Sequence, residues 1–205
     1  MPSIVDGAVY LSHAAISAPA SEPVTLAEAK AHSNVVHADD DAVITAQLVA
    51  ARDYIEALIK APLMQRSYRL RLDRFPSANA LMLPGWPVQS ITAVRYIDPT
   101  NTQQTMSSTL YALDADSSPA RLTLARGAAW PAVGIEAGLW GVEVEYVAGY
   151  TNAAAVPQPL KQALLLVFGH WYDNARETAV ADNLREAPHA AETLCRTFTR
   201  TRWVV

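Results

Sequence analysis

One cysteine, three phenylalanines and eight glycines in 205 residues are scarce material for several classes of protein. The lone Cys195 can close no internal disulfide and no multi-cysteine zinc centre, and it suits a reducing compartment. Long hydrophobic runs are missing as well. The longest, Ala163–Phe168, falls far short of the about 20 apolar residues that a bilayer-spanning helix needs. No basic stretch opens the chain and Asp6 stands among its first apolar residues, which argues against a secretory signal. A glycine-rich phosphate loop, a GxSxG elbow and an HExxH pair are all absent. Positive charge is in short supply too: the net charge is −4 and the pI near 5.7, against non-specific binding to duplex DNA.

What the chain does have is alanine, 37 of them; without these, roughly a third of the residues are strongly apolar, an ordinary globular share. Residues 1–23 are small and aperiodic and read as an N-terminal arm. Thr25 followed by Glu28 forms a capping box for a short helix to about Ser33. Asp39, Asp40 and Asp41 sit where free amides and the positive dipole end would favour carboxylates. They open a longer helix in which Val43, Ile44, Leu48, Ala51, Tyr54, Ile55, Leu58 and Ile59 form one wide apolar face, until Pro62 ends it.

From Ser67 the period changes to two, and short strands are predicted near 67–73, 81–83, 88–97, 110–113, 121–124 and 142–147. Helix returns after Pro157, with Leu160, Ala163, Leu164, Val167, Phe168 and Trp171 in helical register. Leu165, Leu166 and Tyr172 widen that stripe almost all round, as in a helix buried in its own core or between subunits. The predicted architecture is α+β: a helical core (24–66 and 157–178), an inserted antiparallel β sandwich or barrel-like block (67–150), and an extended C-terminal tail (179–205), whose last residues from Leu194 read as a short helix and an extended tip.

Candidate chemistry is sparse. His170 and Asp173 share a helix face and could offer two metal ligands, as for a metal hydrolase, but a metal needs three or four. His32 and His37 flank the acid triplet, where helix capping is the plainer reading. Cys195 would need an activating histidine, and His189 is near it only in sequence. Arg66, Arg69, Arg71 and Arg74 could track a single nucleic-acid strand, or form a solvated strand face paired with Glu143 and Glu145. Trp86, Trp130 and Trp140 stand beside proline or glycine and could form a sugar platform, or plug gaps between loops and core.

The order of phrases carries more. Residues 22–30 (EPVTLAEAK), the acid triplet, the helix with Ala50–Glu56, Leu72–Pro76, Leu83–Ile91, Tyr146–Tyr150, Pro157–Leu166 and Gly169–Tyr172 resemble, in the same order, the head–tail connector (adaptor) proteins of long-tailed bacteriophages and gene transfer agents. The resemblance covers roughly 22–178. It implies a non-catalytic virion protein of the neck, assembled in the bacterial cytoplasm, without cofactor, metal or membrane. It also implies a ring of about a dozen copies under the portal protein, continuing the exit channel and meeting a tail-side connector, stopper or terminator protein. Double-stranded DNA would pass through without sequence-specific binding, past a wall that twelve copies would make acidic. Ring contacts are expected at Ile55, Leu58, Leu165, Leu166 and Tyr172, and portal contacts at Arg196, Phe198, Arg200, Arg202 and Trp203. A carbohydrate- or host-binding module on a phage particle is the alternative, resting on the tryptophans.

Overall fold

Helix α1, Leu26–His32, starts where a threonine and a glutamate satisfy each other's backbone. Glu28 N–H donates to Thr25 Oγ1 at 3.2 Å, and Thr25 N–H donates to Glu28 Oε2 at 2.7 Å. The structure, a computed structural model, describes residues 3–5, 7–134, 140–174 and 189–199. Its chain divides into two compact units, one of the described residues up to Ala18 with Gln65–Gly149, the other of Pro19–Met64 with the described residues from Tyr150 to Thr199.

In the helical unit, α2 (Asp41–Ile59) and α3 (Gln158–Asn174) pack their stripes together, with Ile44, Leu48, Ala51 and Ile55 in one core with Leu160, Leu164, Val167 and Phe168. The acid triplet does not cap α2 as expected. Asp40 stands at the N-cap without a side-chain bond to the free amides and instead accepts the Tyr172 hydroxyl at 2.6 Å. Asp41 accepts Lys30 Nζ at 2.6 Å, tying α1 to α2. At the other end Lys60 turns left-handed (φ 57°), and the buried Glu56 carboxylate accepts the Leu63 amide at 2.8 Å.

A fourth helix, α4 (His189–Arg196), lies in the stretch read as tail. Ala191 and Cys195 are fully buried in the helical core, and Leu194 and Phe198 pack against it. Of the two expected alternatives for α3, burial in its own core or between subunits, the first describes most of it: helices of its own chain enclose it.

Among the described residues the β unit holds nine strands. β1 (Ser3–Val5), β2 (Ala8–Ala15), β3 (Arg66–Leu72), β9 (Val142–Ala148), β5 (Val88–Ile97) and β6 (Gln103–Thr105) make a six-stranded antiparallel sheet in the order β1-β2-β3-β9-β5-β6. β4 (Ala80–Met82), β8 (Arg121–Leu124) and β7 (Tyr111–Asp114) make a three-stranded one. Leu70, Leu72, Val94, Val142, Val144 and Tyr146 from the larger sheet share a core with Leu81 and Leu122 from the smaller. The arrangement is a sandwich rather than a closed barrel. β1 and β2 come from the expected arm, which is therefore part of the sheet. At the start of β9 a Cβ on Gly141 would lie 1.9 Å from the Asp73 carbonyl oxygen, so the close approach of the two chain segments needs glycine.

Candidate functional site

Among the described residues four places could carry chemistry, and each holds side chains that the sequence singles out. The first is a cleft of about 390 Å³ in the helical unit, where the end of α1 meets the last turns of α3. His32, Ser33, Asn34, Leu166, Gly169, His170 and Asp173 line it. Gly169 lets the two elements approach, since a Cβ there would meet His32 Nε2 at 3.1 Å. His170 and Asp173 thus do share a cleft with His32. Among the described residues, however, no three His, Cys, Asp or Glu side chains are placed to hold a metal ion. His37 lies 3.9 Å from Asp39 in the α1–α2 loop.

Cys195 fails as a nucleophile for a physical reason. Its burial pushes the thiol up to about 11, with the Glu192 carboxylate adding to the effect, so almost no thiolate exists at neutral pH. His189 is exposed and lies 3.7 Å from Glu192.

The arginines of β3 are the best-defined polar group. The β3–β9 register sets Arg69 opposite Glu145 and Arg71 opposite Glu143. Arg69 Nη2–H donates to Glu145 Oε1 at 2.9 Å, and Arg71 Nε–H donates to Glu143 Oε2 at 2.9 Å. Arg95, from β5 on the far side of β9, reaches Glu143 at 3.2 Å and Glu145 at 2.9 Å. These bonds, Arg69's first, hold the Glu145 carboxyl below the ordinary carboxylate range. The lattice matches the paired, solvated-face reading rather than a nucleic-acid groove. Arg74 pairs with Asp73, and Arg66 bonds the Tyr68 hydroxyl.

The tryptophans serve the fold. Trp130 stacks on Phe75 at 4.7 Å between ring centroids and donates its indole N–H to the Ala78 carbonyl. Trp140 lies under the Arg71 guanidinium at 5.2 Å, and Trp86 is half-buried. A sugar platform would need open ring faces, and two of the three are covered.

Of the expected assembly residues, Ile55 is fully buried within its own helical unit and cannot present a face to a neighbour. Leu58, Leu165, Leu166 and Tyr172 are half-buried at the margin of that core. Arg196 is exposed at the end of α4, whereas Phe198 packs on the helical core. Arg200, Arg202 and Trp203 lie outside the described residues.

Sequence reasoning missed Arg52, which is buried on α2 and held by Glu22 and Asp53. Its position beside Ala51 on the apolar face was the available signal. It also missed the His13–Tyr146 contact, where the rings stack and Nε2 lies 2.8 Å from the hydroxyl. That hydroxyl gives its single proton to the Pro84 carbonyl at 2.6 Å, so His13 must donate from Nε2.

A chain of one helical and one β unit, whose described charged side chains are largely engaged in its own framework, has the build of a structural protein. Residues 23–182 match the head completion protein family, and the chain belongs to that family. Its role is accordingly that of a structural connector between head and tail. Solved chains with a similar fold come from the neck of an empty gene transfer agent particle with C6 symmetry and from the virion of a native gene transfer agent particle. A third comes from the neck of the native particle with C12 symmetry. All three are 23% identical to this chain and align over 94% of it and 97% of their own length, with TM-scores of 0.75, 0.74 and 0.74. No curated protein matches the chain in sequence.

Proposed function

We propose that the protein works without catalysis as a ring-forming component of the particle neck. About a dozen copies would sit under the portal protein, meet a tail-side connector, stopper or terminator protein, and line a passage for double-stranded DNA. Family membership across residues 23–182, and so across both units, is the observation that carries this reading. The likeness to chains from necks with C6 and C12 symmetry agrees with it. A negative chain, at −4 per copy, suits a wall along which DNA slides without sticking. Assembly would take place in the bacterial cytoplasm.

Ring contacts fall on the half-buried margin of the helical unit, at Leu58, Leu165, Leu166 and Tyr172, with Ile55 withdrawn. Half-exposed apolar side chains of this kind suit head-to-tail contacts, in which one patch meets a different patch next door and the rotation closes. Portal contacts are assigned to Arg196, Arg200, Arg202 and Trp203, with Phe198 anchoring the segment to its own helices.

Electron microscopy of the purified protein with its portal protein tests the reading. Closed rings on the portal are expected, and Leu165→Glu with Leu166→Glu should abolish them while the circular dichroism spectrum stays unchanged. A protein that stays monomeric with portal present at high concentration would overturn the proposal.

A further inference from the structure

The six-stranded sheet ends on one side in an edge that is only partly covered. β1 pairs with β2 from Ala8 to Tyr10 and reaches no further among the described residues. Past a bulge between Tyr10 and Ser12, β2 pairs with β3 alone. Ile16 N–H donates to the Ser67 carbonyl at 2.9 Å, so the even-numbered residues from Ser12 turn their backbone groups to β3. His13 and Ala15 therefore turn theirs outward.

Residues 11–18 are all exposed, including Leu11 at 47% and Ile16 at 44%. Edge strands ordinarily carry a charge, a proline or a covering loop that discourages pairing with another chain. The run Leu11–Ser17 has neither a fixed charge nor a proline. Its own side chains are small where it matters: Ser12 and Ala14 lie opposite Arg71 and Arg69. Three guanidinium groups on that face, those of Arg69, Arg71 and Arg95, share two carboxylates. The Arg69 and Arg71 side chains keep 36% and 35% of their exposure.

We propose that the edge of β2 from Ser12 to Ile16 receives an extended segment of another protein as a seventh strand, with acidic residues on the side of Arg69 and Arg71. The outward N–H and C=O groups of His13 and Ala15 supply the backbone bonds, as in other cases of strand addition. Ser12 and Ala14 are short enough for the arginines to reach over them to a carboxylate. Apolar residues of the incoming strand alternate onto the other face, beside His13, whose ring stacks on Tyr68 at 5.0 Å. This surface stands on the geometry of the β unit alone and does not depend on the ring.

A fluorescent peptide of alternating glutamate and valine, titrated into the full chain, is the probe, with a lysine-for-glutamate peptide as control. Saturable binding is expected, at least tenfold weaker for the lysine peptide, together with slowed hydrogen exchange at the His13 and Ala15 amides. Ala14→Glu places a carboxylate before Arg69 and Arg71 and should weaken binding about tenfold. Ala15→Pro removes an outward donor and should do the same, a substitution that an edge tolerates. Circular dichroism checks that both variants keep the fold, and Ala14→Glu, at an exposed site, decides the matter if Ala15→Pro unfolds. Absence of saturable binding, equal affinity for the two peptides, or affinity unchanged in Ala14→Glu would each overturn the proposal. So would light scattering that shows two copies of this chain pairing through β2 in place of peptide binding.

Discussion

Ala191→Asp is the sharpest perturbation of the helical unit, because it sets a carboxylate where α4 packs with no exposure at all. A buried unpaired carboxylate costs several kcal/mol, so the chain escapes by releasing α4, and the measured loss is capped at the docking free energy of that helix. Full burial of Ala191 and Cys195 and half-burial of Leu194 and Phe198 amount to about 4 kcal/mol of transfer free energy, with a comparable amount from the surfaces they cover. Ordering eight residues opposes this at ~1 kcal/mol each, of which the hydrogen bonds within the helix offset about 3 kcal/mol. The difference is about 3 kcal/mol, which for a chain of this size lowers the melting temperature by roughly 6–12 °C. Cys195 reports the event independently. Docked, its thiol is buried and titrates near 11, so Ellman's reagent at pH 8 should leave it unmodified. In Ala191→Asp it should react at the rate of a free thiol. A melting point within 2 °C of the parent, with Cys195 still protected, would refute the docking of α4.

Glu143→Ala withdraws a 4%-exposed carboxylate from Arg69, Arg71 and Arg95, and should cost about 3 kcal/mol or more, read from the urea midpoint. The neighbouring Glu145 titrates below its ordinary value when folded, so its contribution is complete above the unfolded carboxylate range and fades as pH falls through the folded value. Glu145→Gln should therefore flatten the acid limb of stability against pH. Asp98, held at about 2 chiefly by the Thr100 hydroxyl and also by the Thr102 amide and Gln104, secures the turn between β5 and β6. Its carboxyl resonance should titrate near that value, and the Thr100 and Thr102 amides should lose exchange protection only as pH drops below the ordinary aspartate range. Gly141→Ala should destabilise the β unit by about 1–3 kcal/mol, since the Asp73 carbonyl occupies the space of the new methyl group.

Elements buried on one side were legible in the sequence, and those buried on neither side were not. The stripe Ile44–Ile59 and the alternation Tyr68-Leu70-Leu72 record which face meets a core, and the Arg69–Glu145 and Arg71–Glu143 pairs follow from that alternation. β2 beyond Tyr10 shows no such alternation because its residues stay exposed on both faces, so no burial imposes a period of two. The exposed β6 escaped for the same reason. α4 is a partial case. A short helix is expected from Leu194, and it starts earlier, at His189, because Ala191, Leu194, Cys195 and Phe198 stand at i, i+3, i+4 and i+7 and turn one face to the helical core. For an assembly surface the sequence offers candidate residues and no more, since any partner lies in another chain.

Enclosure by α4 changes where assembly energy can come from. A helix apolar on nearly all sides is consistent, taken alone, with burial in its own core or by neighbouring copies. With Ala163, Leu164, Val167 and Phe168 already buried at 1% exposure or less, little of that surface is left to a neighbour. The proposed ring would therefore draw on its margin, where Leu165, Leu166, Tyr172 and Leu58 are half-covered, and on polar and backbone groups elsewhere. Such contacts are smaller and wetter than a shared core, so each interface is individually weak and many must close together before the ring is stable. A connector built this way can stay monomeric at low concentration and assemble cooperatively where a partner already holds several copies in place. Dilution of the free protein should then dissociate it at concentrations where portal-bound rings persist, a contrast that mass photometry resolves directly.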